Sequence, residues 1–125
     1  MIAKMHLSVL IFFALMLMAS VGLFVFAVTS SGNLNVLQTG KVEYTWQDAN
    51  QLCLSQQGNH WRLPEIWELA GLYYFRNDVS FYPRTDYWSQ TRLLGYGFGL
   101  NSRMGILSYD VLDDEDHVLC VKDLD

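Results

Sequence analysis

The chain of 125 residues carries a formal net charge of −5. Lys4 is the only basic residue before Lys41, so the rest of the chain, with 7 basic residues against 13 acidic ones, carries −6. An acidic chain repels the phosphates of nucleic acids and anionic lipid headgroups, so neither is an expected partner. Residues 41–125 are long enough for one small domain with a single core.

The N-terminal segment predicts a membrane anchor, because residues 7–28 include no charged side chain. As a helix they would span about 33 Å at ~1.5 Å per residue, and a bilayer core is roughly 30 Å thick. A cleavable signal peptide is the alternative, although its apolar region is usually about 7–15 residues long. Lys4 favours a cytoplasmic N-terminus. We therefore expect residues 1–28 to remain as a single-pass signal anchor, residues 29–40 to be a polar linker, and the domain to lie outside the cytoplasm.

The clearest helix signal starts at Thr45. Thr45 and Asp48 have the spacing of a capping box, which places the start of a helix at Trp46. Trp46, Ala49 and Cys53 recur at the spacing of one helical face. We therefore expect Cys53 on the buried side of this helix.

A second helix is predicted around Pro64, because proline suits a first helical turn, where its missing N–H needs no partner. The predicted apolar face of this helix consists of Ile66, Leu69, Ala70 and Tyr73. Trp61 and Trp67, before and within the helix, are expected to pack against Trp88.

The second half of the chain predicts short strands, and residues 41–45 predict one more. Residues 76–86 form a loop turned by Pro83, and Asp86–Thr91 is the next predicted strand. In the stretch 95–100, glycine alternates with Tyr, Phe and Leu. This alternation indicates a strand whose glycine face packs flat against an aromatic neighbour.

The remaining strands complete a small antiparallel sheet. Asn101–Arg103 predicts the turn of a hairpin, and His117–Lys122 predicts a closing strand that carries Cys120 inward. Two helices together with such a sheet indicate an α+β domain.

Four motifs resemble one bacterial domain family. They are W-x-x-A-x-x-x-C from Trp46, G-x-x-W-R-L-P-x-x-x-E-L from Gly58, Y-W-S-x-T from Tyr87 and L-C-V-K from Leu119. The resemblance is to the domain at the C-terminus of collagen-like adhesins, which is similar in fold to C-type-lectin-like domains. It implies an α+β, C-type-lectin-like domain over residues 41–125, behind the N-terminal transmembrane helix.

The resemblance also implies a structural motif and a disulfide. The motif residues are Trp46, Trp61, Arg62, Leu63, Pro64, Glu68 and Trp88. We expect Arg62 to pair with a carboxylate such as Glu68 or to cap carbonyl groups. The only two cysteines, in a domain expected to be exported, predict a Cys53–Cys120 bond, which the resemblance implies as well. Two buried free thiols are the alternative.

A run of carboxylates near the C-terminus is the one feature that suggests a metal. It consists of Asp110, Asp113, Asp114, Glu115 and Asp116. Clustered carboxylates suit Ca²⁺, which takes about 6–8 oxygen ligands. The run lacks both the spacing of an EF-hand and the calcium motifs of sugar-binding lectins. We therefore expect a solvated or protein-contact loop, no bound metal or cofactor, and a stability that depends little on Ca²⁺.

No catalytic constellation stands out in the sequence. His60 and His117 have no zinc-site spacing, and Ser89 and Ser102 lack a nucleophile elbow. We therefore expect a protein that is not an enzyme. Aromatic side chains are the best candidates for contact with a ligand or partner, because they supply a large area at low entropic cost. The candidates are Tyr74, Phe81, Tyr82, Tyr87 and Tyr96.

These features predict recognition. We expect an accessory subunit of a cell-envelope complex, held in the bacterial inner membrane, whose domain contacts another envelope protein in the periplasm or outside the cell. The alternative is a surface glycan-binding domain of the adhesin type.

Overall fold

A computed structural model describes residues 11, 14–19, 21 and 32–124. The elements in chain order are β1 (Leu34–Gln38), α1 (Trp46–Leu54), α2 (Ile66–Phe75), β2 (Asp86–Leu93), β3 (Tyr96–Asn101), β4 (Ile106–Val111) and β5 (Leu119–Asp123). Strands β2, β3 and β4 form one antiparallel sheet in that order. Strands β1 and β5 form a second antiparallel sheet.

The predicted fold class was wrong. We expected an α+β, C-type-lectin-like domain with two helices and one small sheet behind a transmembrane helix. The described chain is mostly sheet, with five strands divided between two antiparallel sheets and few helices. Among the described residues, no helix has the length and apolar character needed to cross a bilayer. Most of the predicted anchor, residues 7–28, lies outside the described residues.

Strand β1 lies inside residues 29–40, which the polar composition assigned to a linker. Its side chains alternate only weakly: Leu34 is buried, whereas Asn35 and Gln38 are exposed. The strand exists because β5 pairs with it, Leu34 lying opposite Asp123 at the far end of the domain. Local composition carries no information about so distant a partner.

Helix α1 follows its sequence signals. The Thr45 side chain accepts a hydrogen bond from the Asp48 backbone N–H at 3.3 Å, and the helix begins at Trp46 as predicted. Trp46, Ala49 and Cys53 are its buried residues, which confirms the predicted inner face.

Helix α2 begins later than predicted, at Ile66, so Pro64 precedes it. Glu65 is the N-cap and forms a capping box with Glu68. The Glu65 side chain accepts a hydrogen bond from the Glu68 backbone N–H, and the Glu68 side chain accepts one from the Glu65 backbone N–H. Glu68, Leu69 and Leu72 are buried on this helix. The apolar periodicity missed Glu68 because its burial depends on a charged partner rather than on hydrophobicity.

The three-stranded sheet has two unlike faces. On one face, a Cβ added at Gly97 would lie 2.6 Å from the Trp88 ring and 3.2 Å from Trp46, which confirms the predicted glycine face against an aromatic neighbour. On the other face, Tyr87 and Leu100 pair across β2 and β3 and are buried against α2. The two helices therefore cover different parts of this sheet and leave the rest exposed.

A disulfide connects α1 to the second sheet. Cys53 and Cys120 are bonded, with their Cα atoms 5.4 Å apart, and the predicted bond is confirmed. Both cysteines are fully buried in a core cluster that also contains Trp46, Leu63 and Trp88.

Candidate functional site

An exposed apolar surface occupies one face of the three-stranded sheet, beyond the part covered by α2. Tyr96 pairs with Val111 and Phe98 with Tyr109 across β3 and β4, so these side chains lie on the same face. Leu94, in the turn before β3, is 89% exposed, and Tyr109 is 66% exposed. We define the apolar face as Leu93, Leu94, Tyr96, Phe98, Leu107 and Tyr109.

Strand β4 is the open edge of the same sheet. Within residues 32–124 it pairs with β3 alone, so no described strand covers its other side. An edge strand with exposed apolar side chains is a template for pairing with another chain. The exposed carboxylates Asp113, Asp114 and Glu115 lie just beyond the end of β4. Asp113 lines a cleft with Trp46 and Arg92, on the side of the sheet that carries the tryptophans.

The five predicted aromatic contacts do not form one surface. Only Tyr96 belongs to the apolar face. Tyr74 is also exposed, and its hydroxyl donates to the carbonyl of Gly105. Tyr87 is 3% exposed and belongs to the core, and its burial raises the pKa of its hydroxyl. Phe81 packs edge-on against Tyr87, so neither ring offers much contact area.

Tyr82, the fifth candidate, lines a small cleft between β1 and the loop that precedes β2. The cleft has a volume of about 190 Å³, and its lining includes Gln38, Ser80 and the half-buried Tyr82. The backbone N–H of Tyr82 donates to the Tyr87 hydroxyl at 2.8 Å, which fixes this part of the loop. The cleft combines an aromatic ring with polar groups, a mixture that can accept a small polar ligand.

The Trp-Arg-Leu-Pro block connects the loop after α1 to α2 and β5. Arg62 forms a bidentate pair with Glu68, with N–O distances of 2.6 and 2.9 Å, which confirms the predicted pairing. The hydrogen bond that Arg62 donates to Glu68 is the main cause of the raised pKa of Arg62. The backbone of Arg62 also exchanges two hydrogen bonds with Val121. Leu63 and Pro64 are fully buried, so this part of the block is structural.

The tryptophans are arranged differently from the prediction. Trp46, rather than Trp67, shares the glycine face with Trp88, and Trp67 is exposed. The Trp46 indole donates to the Ser89 carbonyl at 2.9 Å, and the Trp88 indole donates to the Tyr44 carbonyl at 2.7 Å. Trp61 packs at the border of this cluster. These hydrogen bonds tie α1 and the segment before it to β2.

Three carboxylates meet on the other side of the sheet from the apolar face. Asp86 begins β2, Asp110 lies in β4, and Asp116 lies in the loop before β5. One carboxylate oxygen of each lies within 4.8 Å of the other two. Asp116 is only 8% exposed. Its backbone N–H and C=O are both bonded to Tyr44, which holds this residue in place.

This clustering makes Asp116 difficult to ionise. Burial, followed by the neighbouring Asp110 carboxyl, raises the pKa of Asp116 to about 8. The charges of Asp86 and Glu43 act in the same direction. His117 follows Asp116 in the chain. A carboxylate oxygen of Glu43 lies 3.3 Å from the Nδ1 atom of His117.

Two members of this cluster belong to a pattern that is visible in the sequence. Asp110 and Asp116 belong to the acidic run, but Asp86 was assigned only to a strand. Asp86 is placed beside Asp116 by a bridge between β2 and the loop before β5: the backbone N–H of His117 donates to the Asp86 carbonyl at 2.9 Å, and that of Trp88 donates to the His117 carbonyl at 3.0 Å. In comparisons with known proteins, the chain matches no protein-family model and no curated protein.

Proposed function

We propose that this domain is a non-enzymatic recognition module that binds another protein of the bacterial cell envelope and acts as an accessory subunit there. The observation that carries the proposal is the apolar face beside the open edge of β4. The bacterial setting rests on the resemblance of the sequence motifs to the adhesin-type domain family.

The surface favours a protein partner over a small ligand. Contiguous exposed apolar patches on soluble domains commonly mark protein interaction sites. Tyr96 and Tyr109 supply large, rigid contact areas, and their rings lie 6.0 Å apart in an edge-on arrangement. The open backbone of β4 can accept a further strand, a recurring mode of peptide recognition.

The exposed carboxylates beyond the end of β4 predict a positively charged partner segment. Asp113, Asp114 and Glu115 are exposed beyond the end of β4. Lysine or arginine residues flanking a bound strand would be attracted to these carboxylates, which speeds encounter and fixes register. The expected partner segment is therefore an extended strand with apolar side chains and a basic flank.

The disulfide supports a location outside the cytoplasm. Such bonds persist in oxidising compartments and are rare in the cytosol. The chain has only two cysteines, and both are in the Cys53–Cys120 bond. Neither is therefore available as a catalytic nucleophile, which supports a binding role in the periplasm or outside the cell.

Co-purification with a matched pair of variants tests the proposal. Leu94→Arg places a positive charge on the apolar face, where the side chain is 89% exposed, so folding should be unaffected. Leu54→Arg is the control, on α1, where the leucine is 58% exposed. After mild solubilisation and crosslinking, we expect one stoichiometric partner with the wild type and with Leu54→Arg, but not with Leu94→Arg. Recovery of the same amount of partner protein with Leu94→Arg as with Leu54→Arg would contradict the proposal.

The second candidate function is glycan binding, and the cleft containing Gln38, Ser80 and Tyr82 favours it. An aromatic ring beside amide and hydroxyl groups suits a sugar ring. If glycan binding is the function, purified wild-type protein binds a glycan array as a monomer. Tyr82→Ala then abolishes the signal while Leu94→Arg leaves it unchanged.

A further inference from the structure

We propose that the strand that pairs with the open edge of β4 is β4 of a second copy of this chain, in a symmetric dimer whose three-stranded sheets join into one. This inference rests on the proposed function and deepens it, because it names the occupant of the edge beside the apolar face. The apolar faces of the two copies then form one continuous surface, which the envelope partner contacts.

Strand β4 lacks the features that protect most edge strands. Natural edges carry lysine, proline, a bulge or a covering segment, which prevents pairing with another chain. From Ile106 to Val111, β4 contains neither lysine nor proline and pairs with β3 in an unbroken register. The opposite edge strand, β2, has a bulge between Trp88 and Arg92 and a bridge to His117. Of the two edges of this sheet, β4 is therefore the one that can accept another strand.

Strand β4 also has the chemical character expected of the bound segment. Leu107, Tyr109 and Val111 are exposed on the apolar side of the sheet. Arg103, in the turn before β4, is exposed and supplies the basic flank. Within residues 32–124 its side chain forms no ion pair, so its charge is available to a second molecule. A second copy of β4 is therefore a suitable occupant of the edge.

Symmetry limits how two β4 strands can pair. The copies in such a dimer are related by a two-fold axis and use the same surface. In an antiparallel pair, opposite residues point to the same face, and successive residues alternate between faces. A pairing that is both antiparallel and two-fold therefore places one residue opposite itself. It also keeps both apolar faces on the same side of the joined sheet.

Tyr109 is the residue on the axis that gives the most favourable contacts. Leu107 then lies opposite Val111 of the second copy on the apolar side, and the two Tyr109 side chains meet. On the other side of the sheet, Ser108 lies opposite Asp110, so a hydroxyl can donate to a carboxylate. A shift of the axis to Ser108 would instead place Asp110 opposite an apolar side chain.

The charges at the two ends of β4 complement each other in this register. Arg103 and Glu115 lie equally far from Tyr109 along the chain, on opposite sides of it. Antiparallel pairing therefore brings Arg103 of each copy towards the exposed Glu115 of the other, with Asp114 beside it. Such opposite charges fix the register and orientation of two partners. A parallel arrangement would instead bring the two Arg103 side chains together.

Disulfide crosslinking of the purified full-length chain, in mild detergent and without other proteins, tests the contact. Tyr109→Cys adds one free thiol to a side chain that is exposed. Opposite Cα atoms in an antiparallel pair are about 4.5–5.5 Å apart, which suits a disulfide. Under mild oxidation we expect a covalent dimer of Tyr109→Cys that reductant returns to monomer.

Ile106→Cys is the matched control, because Ile106 is also exposed and lies on the same strand. In the proposed register the two copies of residue 106 are roughly 20 Å apart, at about 3.3 Å per residue, which is too far for a disulfide. We therefore expect little covalent dimer from Ile106→Cys. Equal crosslinking of the two variants would overturn the proposal, as would a Tyr109→Cys chain that stays monomeric.

Charge reversal tests the orientation of the two strands. Arg103→Glu and Glu115→Arg should each weaken the dimer about tenfold in Kd, measured by sedimentation, because each change makes both symmetric charge contacts repulsive. The double variant restores opposite charges and should regain the wild-type Kd. A double variant as weak as the single ones would overturn the proposed orientation.

The outcomes also separate this inference from the proposed function. Self-crosslinking of Tyr109→Cys without recovery of an envelope partner would contradict the proposed function and leave the dimer in place. Recovery of a partner that Leu94→Arg abolishes, together with a chain that is monomeric when purified, would overturn the dimer alone. Crosslinking of Tyr109→Cys to a different protein instead of to itself would assign the β4 edge to that protein.

Discussion

At the residue scale, the Arg62–Glu68 pair shows how one buried charge depends on another. Glu68 is 6% exposed and Arg62 is its bidentate partner. Arg62→Ala leaves Glu68 buried without that partner. We expect a loss of roughly 2–3 kcal/mol of unfolding free energy, somewhat less than for a fully buried pair, because Arg62 is partly exposed.

Urea denaturation of the full chain measures this loss. Arg103→Ala is the matched control, because Arg103 is exposed and its side chain forms no ion pair within the described residues. Arg62→Lys keeps the charge but not the bidentate geometry, so it should fall between Arg62→Ala and the wild type. Equal midpoints for Arg62→Ala and Arg103→Ala would contradict the structural role of the pair.

Asp116 predicts an unusual dependence of stability on pH. Its pKa is about 8 in the folded protein against 3.8 as the ordinary value, so the folded state keeps a proton that the unfolded state has released. Stability from this group is therefore present at low pH and is lost as the pH rises towards 8 and beyond. The charged groups facing it are Asp110, Asp86 and Glu43, and His117 is the next residue.

Thermal melts in chelator between pH 5 and pH 9 test this dependence. We expect the Tm of the wild type to fall relative to that of Asp116→Asn across the range. The comparison between the two proteins removes the contributions of all other titrating groups. A wild-type Tm that rises with pH relative to the variant would contradict the raised pKa.

At the element scale, the contact between β3 and the tryptophans leaves no room for a side chain at Gly97. A Cβ there would lie 2.6 Å from the Trp88 ring. Gly97→Ala should therefore lower the unfolding free energy by roughly 1–3 kcal/mol, as overpacking does in other cores. Gly32→Ala is the control, because nothing lies within 4 Å of a Cβ at that position. Equal denaturation midpoints for the two variants would show that the ring can move aside.

The elements that the sequence predicted well have local signals. Thr45 gave the start of α1, and the alternating glycines gave the face of β3 that packs on tryptophan. The elements that it missed depend on distant partners. The polar composition of β1 predicted a linker, because the pairing with β5 that makes it a strand leaves no local signal. The predicted start of α2 was too early, because a proline is compatible both with the first helical turn and with the position just before the N-cap, where Pro64 lies.

The same distinction applies to the carboxylate cluster. Asp110 and Asp116 are close in the sequence, but Asp86 joins them through the backbone bridge between β2 and His117. Sequence periodicity does not reveal this bridge, because its two segments are about thirty residues apart in the chain. A site built by pairing across strands is therefore visible only when the sheet is known.

At the scale of the whole molecule, the disulfide closes a loop of 67 residues that contains α2 and the entire three-stranded sheet. Cys53→Ser or Cys120→Ser should remove roughly 2–5 kcal/mol, a large share of the stability of a domain this small. The double variant should resemble the single ones, because the same bond is lost in each. Denaturation midpoints measured with and without reductant provide the comparison.

Thiol titration gives the control for that experiment. The denatured, unreduced wild type should contain no reactive thiol, and each single variant should contain one. Two thiols per wild-type chain would contradict the bond, and with it the argument for an oxidising compartment.

The pairing of β1 with β5 has a consequence for biosynthesis. Strands β2, β3 and β4 follow one another, so their sheet can form soon after β4 reaches the compartment where the domain folds. Strand β1 must wait for β5, and the interval between Gln38 and Leu119 lasts roughly 4–16 s at a synthesis rate of ~5–20 residues per second. During those seconds Leu34 and the unpaired backbone of β1 are open to a chaperone or to the β1 of another nascent chain.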